Sequence, residues 1–200
     1  MLVSKAIGGK GTDRSRTIAK DRSGTIYVAG AFSNTVNFNR STTGLFSKTS
    51  NGGLDAFIAN FDANGILVWV NTFGETSDDE ALSVSTNAMN EVIITGFFRG
   101  TVDFGPSVTI QNVRSNNNST DVFLTKLDSN GTLIWNKTFG SSSNLDGGRE
   151  VSNDKNDNIV FTGTYGGTID VDPSAAVFNL YNSYQEDSFI SKFVNQGNLV

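Results

Sequence analysis

The 200-residue chain carries 15 Lys and Arg against 20 Asp and Glu, a formal net charge of −5, and is 37% hydrophobic. Such a composition can bury a core, and its acidity argues against nucleic-acid binding, which needs a basic surface to neutralise phosphate. Cysteine and histidine are both absent, which excludes disulfides, zinc ribbons and thiol nucleophiles and removes the commonest general base.

No apolar run approaches the roughly 18 residues that cross a bilayer. The enzymatic class left open is the one that works with paired carboxylates, as in glycosidases or lyases. The dominant signal is a repeat. Asp55-Ala56-Phe57-Ile58 returns as Asp121-Val122-Phe123-Leu124 and as Asp187-Ser188-Phe189-Ile190, each time after 66 residues. A period of this length fixes the architecture before any site chemistry is considered.

Leu2 to Ile7 reads as a strand, followed by the turn Gly8-Gly9 and Asp13. Thr25 to Gly30 is a second strand. A long segment from Ser33 to Leu54 leads to the strand opened by Asp55, and Asp62-Ala63-Asn64-Gly65 turns the chain into Ile66-Leu67-Val68-Trp69.

The second repeat is the cleanest. Leu82 to Ser85 alternates apolar and polar, Asn87 to Asn90 turns, and Val92 to Phe98 is β-branched and aromatic, a strand composition. Arg99 to Thr120 is a polar excursion with a strand-like piece at Val108 to Ile110. Val122 to Leu127, the turn Asp128 to Gly131, and Thr132 to Phe139 complete a four-strand unit. Gly131 suits the positive φ of such hairpins. In the third repeat Asn158 to Gly163 matches the second strand, Tyr165 to Glu186 is the long segment, and the strand opened by Asp187 follows. A one-residue slip falls in the Ser/Gly/Asn stretch from Ser141 to Gly148, where an insertion costs little. Nothing shows a sustained 3.6-residue period. The fold class is all-β, and repeated four-stranded antiparallel units predict a β-propeller.

The run Asp-x-Phe-Ile/Leu through Asp-x-Asn-Gly-x-Leu-x-Trp to Thr-Phe-Gly, at Asp55–Gly74 and Asp121–Gly140, resembles the bacterial beta-propeller repeat known as SBBP. Thr101-Val102-Asp103-Phe104 and Thr168-Ile169-Asp170-Val171-Asp172-Pro173 resemble its flanking segments, and the likeness covers essentially the whole chain. Asn37-Phe38-Asn39-Arg40 departs from the Asp-x-Asp-Pro pattern, and Val194 replaces the turn Asp of Asp62 and Asp128. The resemblance implies a bacterial, extracellular or cell-surface protein with no general catalytic motif.

The register divides the chain into a fourth strand at 1–8, blades at 9–74 and 75–140, and a third blade at 141–200 that lacks its fourth strand. Val3 stands in the register of Trp69 and Trp135. Three blades are too few for a ring. The expectation is a homodimer in which each N-terminal strand completes the partner's third blade, giving a six-bladed ring, or an open filament if the rotation does not close. The competing reading is a part of a longer propeller.

Strand parity gathers the long segments on one rim, where a carbohydrate or protein ligand is expected, with Tyr165, Tyr181 and Tyr184 as contact candidates. Asp13, Asp79 and Asp146 recur after the interblade turn, and Asp55, Asp121 and Asp187 open the third strands. Both sets read as acceptors of backbone N–H bonds. Asp78, Asp79, Asp170 and Asp172 are the calcium candidates, although calcium needs six to eight oxygens. No cofactor and no catalytic residue is expected. Trp69 and Trp135, mid-strand, read as packing between blades.

Overall fold

The structure, a computed structural model, describes residues 4–39, 46–105, 112–115, 118–143, 145–174, 176–182 and 184–200, with 112–114 described by backbone alone. The first repeat contains β1 (Gly8–Gly9), β2 (Asp13–Lys20), β3 (Ile26–Phe32), β4 (Thr35–Asn37), β5 (Ser47–Thr49), β6 (Asp55–Phe61) and β7 (Leu67–Phe73). The second contains β8 (Glu80–Thr86), β9 (Val92–Arg99), β10 (Thr101–Asp103), β11 (Asn112–Arg114), β12 (Thr120–Leu127) and β13 (Leu133–Phe139). The third contains β14 (Gly147–Asn153), β15 (Ile159–Tyr165), β16 (Thr168–Asp170), β17 (Asn179–Tyr181) and β18 (Asp187–Phe193). No α-helix occurs among the described residues.

Two sheets have four antiparallel strands, in the orders β2-β3-β6-β7 and β8-β9-β12-β13. The third sheet has three, β14-β15-β18. Beyond β18 the chain returns only as an isolated bridge between Phe193 and Leu199 and a bond from Val200 N to Lys192 O at 2.9 Å. Residues 4–7 form no strand, and Met1 to Val3 of the expected N-terminal strand lie outside the described residues. Gly8–Gly9 pairs instead with β4 of its own repeat.

The long segments are not plain loops. Each carries a short hairpin of its own, β4–β5, β10–β11 and β16–β17. The strand-like piece expected at Val108 to Ile110 lies outside the described residues.

The short turns close by side-chain chemistry. Asp62 Oδ1 accepts the N–H of Asn64 at 2.9 Å and of Ile66 at 2.7 Å. Asp128 Oδ1 accepts those of Asn130 and Thr132 at 2.9 and 2.8 Å. Such an Asx turn mimics a backbone turn and fixes the hairpin register. The first strands share a second device. Each has a β-bulge at the same repeat position, between Ser15 and Thr17, Ala81 and Ser83, and Gly148 and Glu150. Gly96 lies across from the second bulge so closely that a Cβ would collide with the Glu80 carbonyl.

Packing is between sheets. Ile58, Phe73 and Tyr27 of the first sheet share a buried cluster with Val84, Val92, Ile94 and Leu127 of the second. Leu124, Ile93 and Phe139 of the second share one with Val151, Ile159, Phe161 and Phe193 of the third. A third cluster, around Phe32, Phe38, Phe57 and Phe61, sits on the outer face of the first sheet under β4 and residues 7 and 46.

Candidate functional site

The repeated acids are placed as backbone anchors. Asp79, 1% exposed, accepts Arg99 N at 2.8 Å on Oδ1 and Glu75 N at 3.2 Å on Oδ2. Asp146 accepts Gly166 N at 2.8 Å and Ser141 N at 2.5 Å. Asp13 accepts Gly9 N at 2.8 Å. Asp79 and Asp146 each tie an intersheet turn to the end of the second strand of the next sheet, and Asp13 ties Gly9 to the start of β2. Asp55 is buried and accepts Asn51 N at 3.1 Å, and buried Asp121 accepts the Ser119 hydroxyl at 3.2 Å. Asp187, at the start of β18, is partly exposed.

Burial decides the electrostatics here. It pushes the Asp79 carboxyl up to about 7, against the pull of the two N–H bonds. It pushes Asp55 up to about 6 and raises Asp146 as well.

The calcium candidates do not form one site. Asp78 is exposed and caps Leu54 N at 2.8 Å, whereas Asp79 is turned into the protein. Asp170 Oδ1 accepts Asp172 N and Phe178 N at 3.0 and 2.9 Å, and Asp172 Oδ1 accepts Ser174 N at 2.9 Å. Both close their own turn. Among the described residues no group of three or more acidic side chains converges as a metal site.

The three tyrosines separate. Tyr165 is buried against Phe189, ring centroids 6.3 Å apart, and so presents no face to a ligand. Tyr181 and Tyr184 are 72% and 94% exposed, with Phe178 and Val177 also open on the same hairpin. The tryptophans lie between sheets. Trp69 donates to Ser129 O at 3.0 Å, and Trp135 to Asn195 O at 3.3 Å.

Two features were not anticipated from the sequence. A polar cleft of about 380 Å³ lies at the rim of the short turns, lined by Lys20, Asp21, Asn87, Asn153, Asp154 and Asp157. It is on the rim opposite the long segments. The other feature is apolar. Ile18, Ile26, Val28, Phe61 and Gly65 line an open pocket of about 220 Å³ on the outer face of the first sheet, with Lys5 and Ile7 at its margin. The repeat register held the signal for it, because the same positions in the second repeat are Val84, Val92, Ile94, Leu127 and Gly131.

No protein-family model matches the chain. An uncharacterized WD repeat-containing protein, L264 of Acanthamoeba polyphaga mimivirus, is 25% identical over an alignment of 188 positions that covers 84% of this chain. The chain spans 14% of that relative's length. This similarity, together with repeated four-stranded antiparallel sheets, fits a β-propeller-like, non-enzymatic repeat module. No helix among the described residues is long and apolar enough to cross a membrane.

Proposed function

We propose that the chain is a propeller-type module, similar to the bacterial SBBP repeat, that works by assembly and binding rather than catalysis. In this reading it acts at a cell surface or outside the cell and associates with itself through its terminal repeats as a homodimer. The observation that carries it is a contrast between equivalent positions. Ile18 is 69% exposed, while Val84 and Val151 at the same repeat position are 6% and 3% exposed. Ile18 shares its open pocket with Ile26, Val28 and Phe61, and a contiguous apolar surface supports association more than an isolated exposed residue does. Sedimentation of the purified chain tests the reading. Association to twice 21.4 kDa supports it; a monomer at every concentration overturns it.

A second reading, carbohydrate binding, is favoured by the exposure of Tyr181 and Tyr184, since an exposed aromatic ring offers a sugar a flat apolar face. A glycan array is the test. Binding lost in the Tyr181→Ala and Tyr184→Ala variants supports it, and an array without signal removes it.

A further inference from the structure

The contacts between neighbouring sheets are asymmetric and are built twice in the same way. The Ile58 side of the first sheet meets the Val84 side of the second. The Leu124 side of the second meets the Val151 side of the third. What remains uncovered is one surface of each kind. Ile190, the equivalent of Ile58 and Leu124, is 72% exposed, whereas those two are fully buried. Ile18, the equivalent of Val84 and Val151, is open on the far side of the molecule. Two unlike surfaces of one interface type, carried by one molecule, are head-to-tail complements.

Resting on the assembly reading above, we infer that the partner is a second copy of this chain, with the Ile190 surface of each copy seated on the Ile18 surface of the other. A second observation leads to the same partner. Lys5 and Ile7 line the pocket beside Ile18, with Ile7 packed on the apolar cluster there, yet residues 4–7 form no strand among the described residues. Their repeat positions are those of Val70 to Phe73 in β7 and Asn136 to Phe139 in β13. On the opposite surface β18 pairs with β15 and, among the described residues, with no fourth strand. Seating the copies brings these two incomplete elements side by side. Gly8 then falls opposite the partner's Asp187. Gly74 stands in that relation to Asp55, where a Cβ would come 2.5 Å from the carboxyl carbon, and Gly140 stands so to Asp121.

The sheet count of two such chains is compatible with a closed ring. Propeller rings close with about four to eight sheets. Among the described residues one chain supplies three such sheets, and two chains supply six, within that range. Continuity of the interface type supplies the geometry, because the new junction repeats a packing that the chain already makes.

The chain has no cysteine, so introduced thiols are unique, and positions 18 and 190 are exposed enough to be changed without disturbing the fold. Ile18→Cys and Ile190→Cys chains are prepared separately, refolded together and treated with a bis-maleimide of about 10 Å span, the spacing of packed sheets. A covalent dimer from the mixture, with none from either variant alone, is the expected result. Coupling of Ile18→Cys with itself means a symmetric interface, which overturns this inference and leaves self-assembly standing. A sedimenting dimer that never cross-links means that another surface is used, with the same consequence. A ladder of higher species from the Ile18→Cys/Ile190→Cys double variant overturns the closed pair in favour of a filament. A chain that neither sediments as a dimer nor cross-links removes both the inference and the reading beneath it.

Discussion

Trp69 lies across Gly131 at the junction of the first two sheets, and a Cβ at position 131 would stand 3.0 Å from its indole ring. The indole N–H reaches past the glycine to the Ser129 carbonyl. Trp135 and Gly197 repeat the arrangement at the next junction, with 3.1 Å to the ring. At these two junctions the turn after the third strand is therefore held by an aromatic side chain from the preceding sheet, and Gly131 is needed twice over, for its φ of 82° and for the closeness of the ring. Gly131→Ala is expected to cost more than the ~1–2 kcal/mol of a left-handed alanine alone. Gly24→Ala, at φ 92° but with its nearest neighbour at 3.4 Å, supplies the reference. Urea unfolding of both variants measures the difference, and equal losses would show that the ring contact adds nothing.

Ser83 is fully buried and bonds in both directions across the second junction. It donates to Glu150 Oε1 at 2.7 Å and accepts Val151 N at 3.1 Å. Ser83→Ala leaves a buried backbone N–H without this acceptor, which costs about 1–3 kcal/mol. Ser85, bonded to Asn153 Oδ1 at 2.6 Å but only partly buried, is expected to lose less on the same change. Denaturant titration ranks the two.

Lys126 is 2% exposed, an unusual state for a lysine. It is compensated by Glu91 at 2.6 Å and by Asn195 Oδ1 at 2.6 Å from the third repeat. Replacing Lys126 by Met strands the Glu91 carboxylate and is expected to cost about 3–5 kcal/mol. The Lys126→Met/Glu91→Gln double variant should recover part of that loss. A double-mutant cycle from thermal or urea unfolding gives the coupling, and additive losses would mean that the two charges do not support each other.

Asp79 and Asp55 set a pH dependence with a definite sign. Their carboxyls are raised by burial to about 7 and about 6, so between about pH 4 and those values the unfolded chain has released protons that the folded chain keeps. The stability they contribute is full below about pH 4 and is lost as pH rises through the folded values. The slope from Asp79 alone approaches about 1.4 kcal/mol per pH unit. Unfolding free energies measured from pH 4 to 8 should fall, and Asp79→Asn should flatten the fall. A native protein whose stability rises over that range would contradict this account.

Much of the framework is legible in the chain because it depends on local chemistry. The Asp-x-Asn-Gly turns follow from a side chain bonding two and four residues ahead, and the strands between them follow from β-branched and aromatic runs, buried on both faces in β6 and nearly so in β9. The hairpins β4–β5 and β16–β17 are not legible in this way. Thr35-Val36-Asn37-Phe38 and Thr168-Ile169-Asp170-Val171 alternate, but each strand is only three residues long and its partner, Ser47–Thr49 or Asn179–Tyr181, carries no comparable run; Val36 and Ile169 are held by the clusters they are buried in. Tyr165 shows the same limit. It opens a segment that reads as loop, yet Phe189, 24 residues later, covers its ring.

Ile18 and Ile190 mark where local reading stops. The repeat alone determines that position 18 belongs with Val84 and Val151, and position 190 with Ile58 and Leu124, because equivalent residues in equivalent strands point the same way. Whether such a residue is inside or outside depends on whether a neighbouring sheet covers it, and that is a property of packing between distant segments. The three-dimensional structure decides it. Val84 is covered by the first sheet and Leu124 by the third, while among the described residues no sheet of a neighbouring repeat covers Ile18 or Ile190.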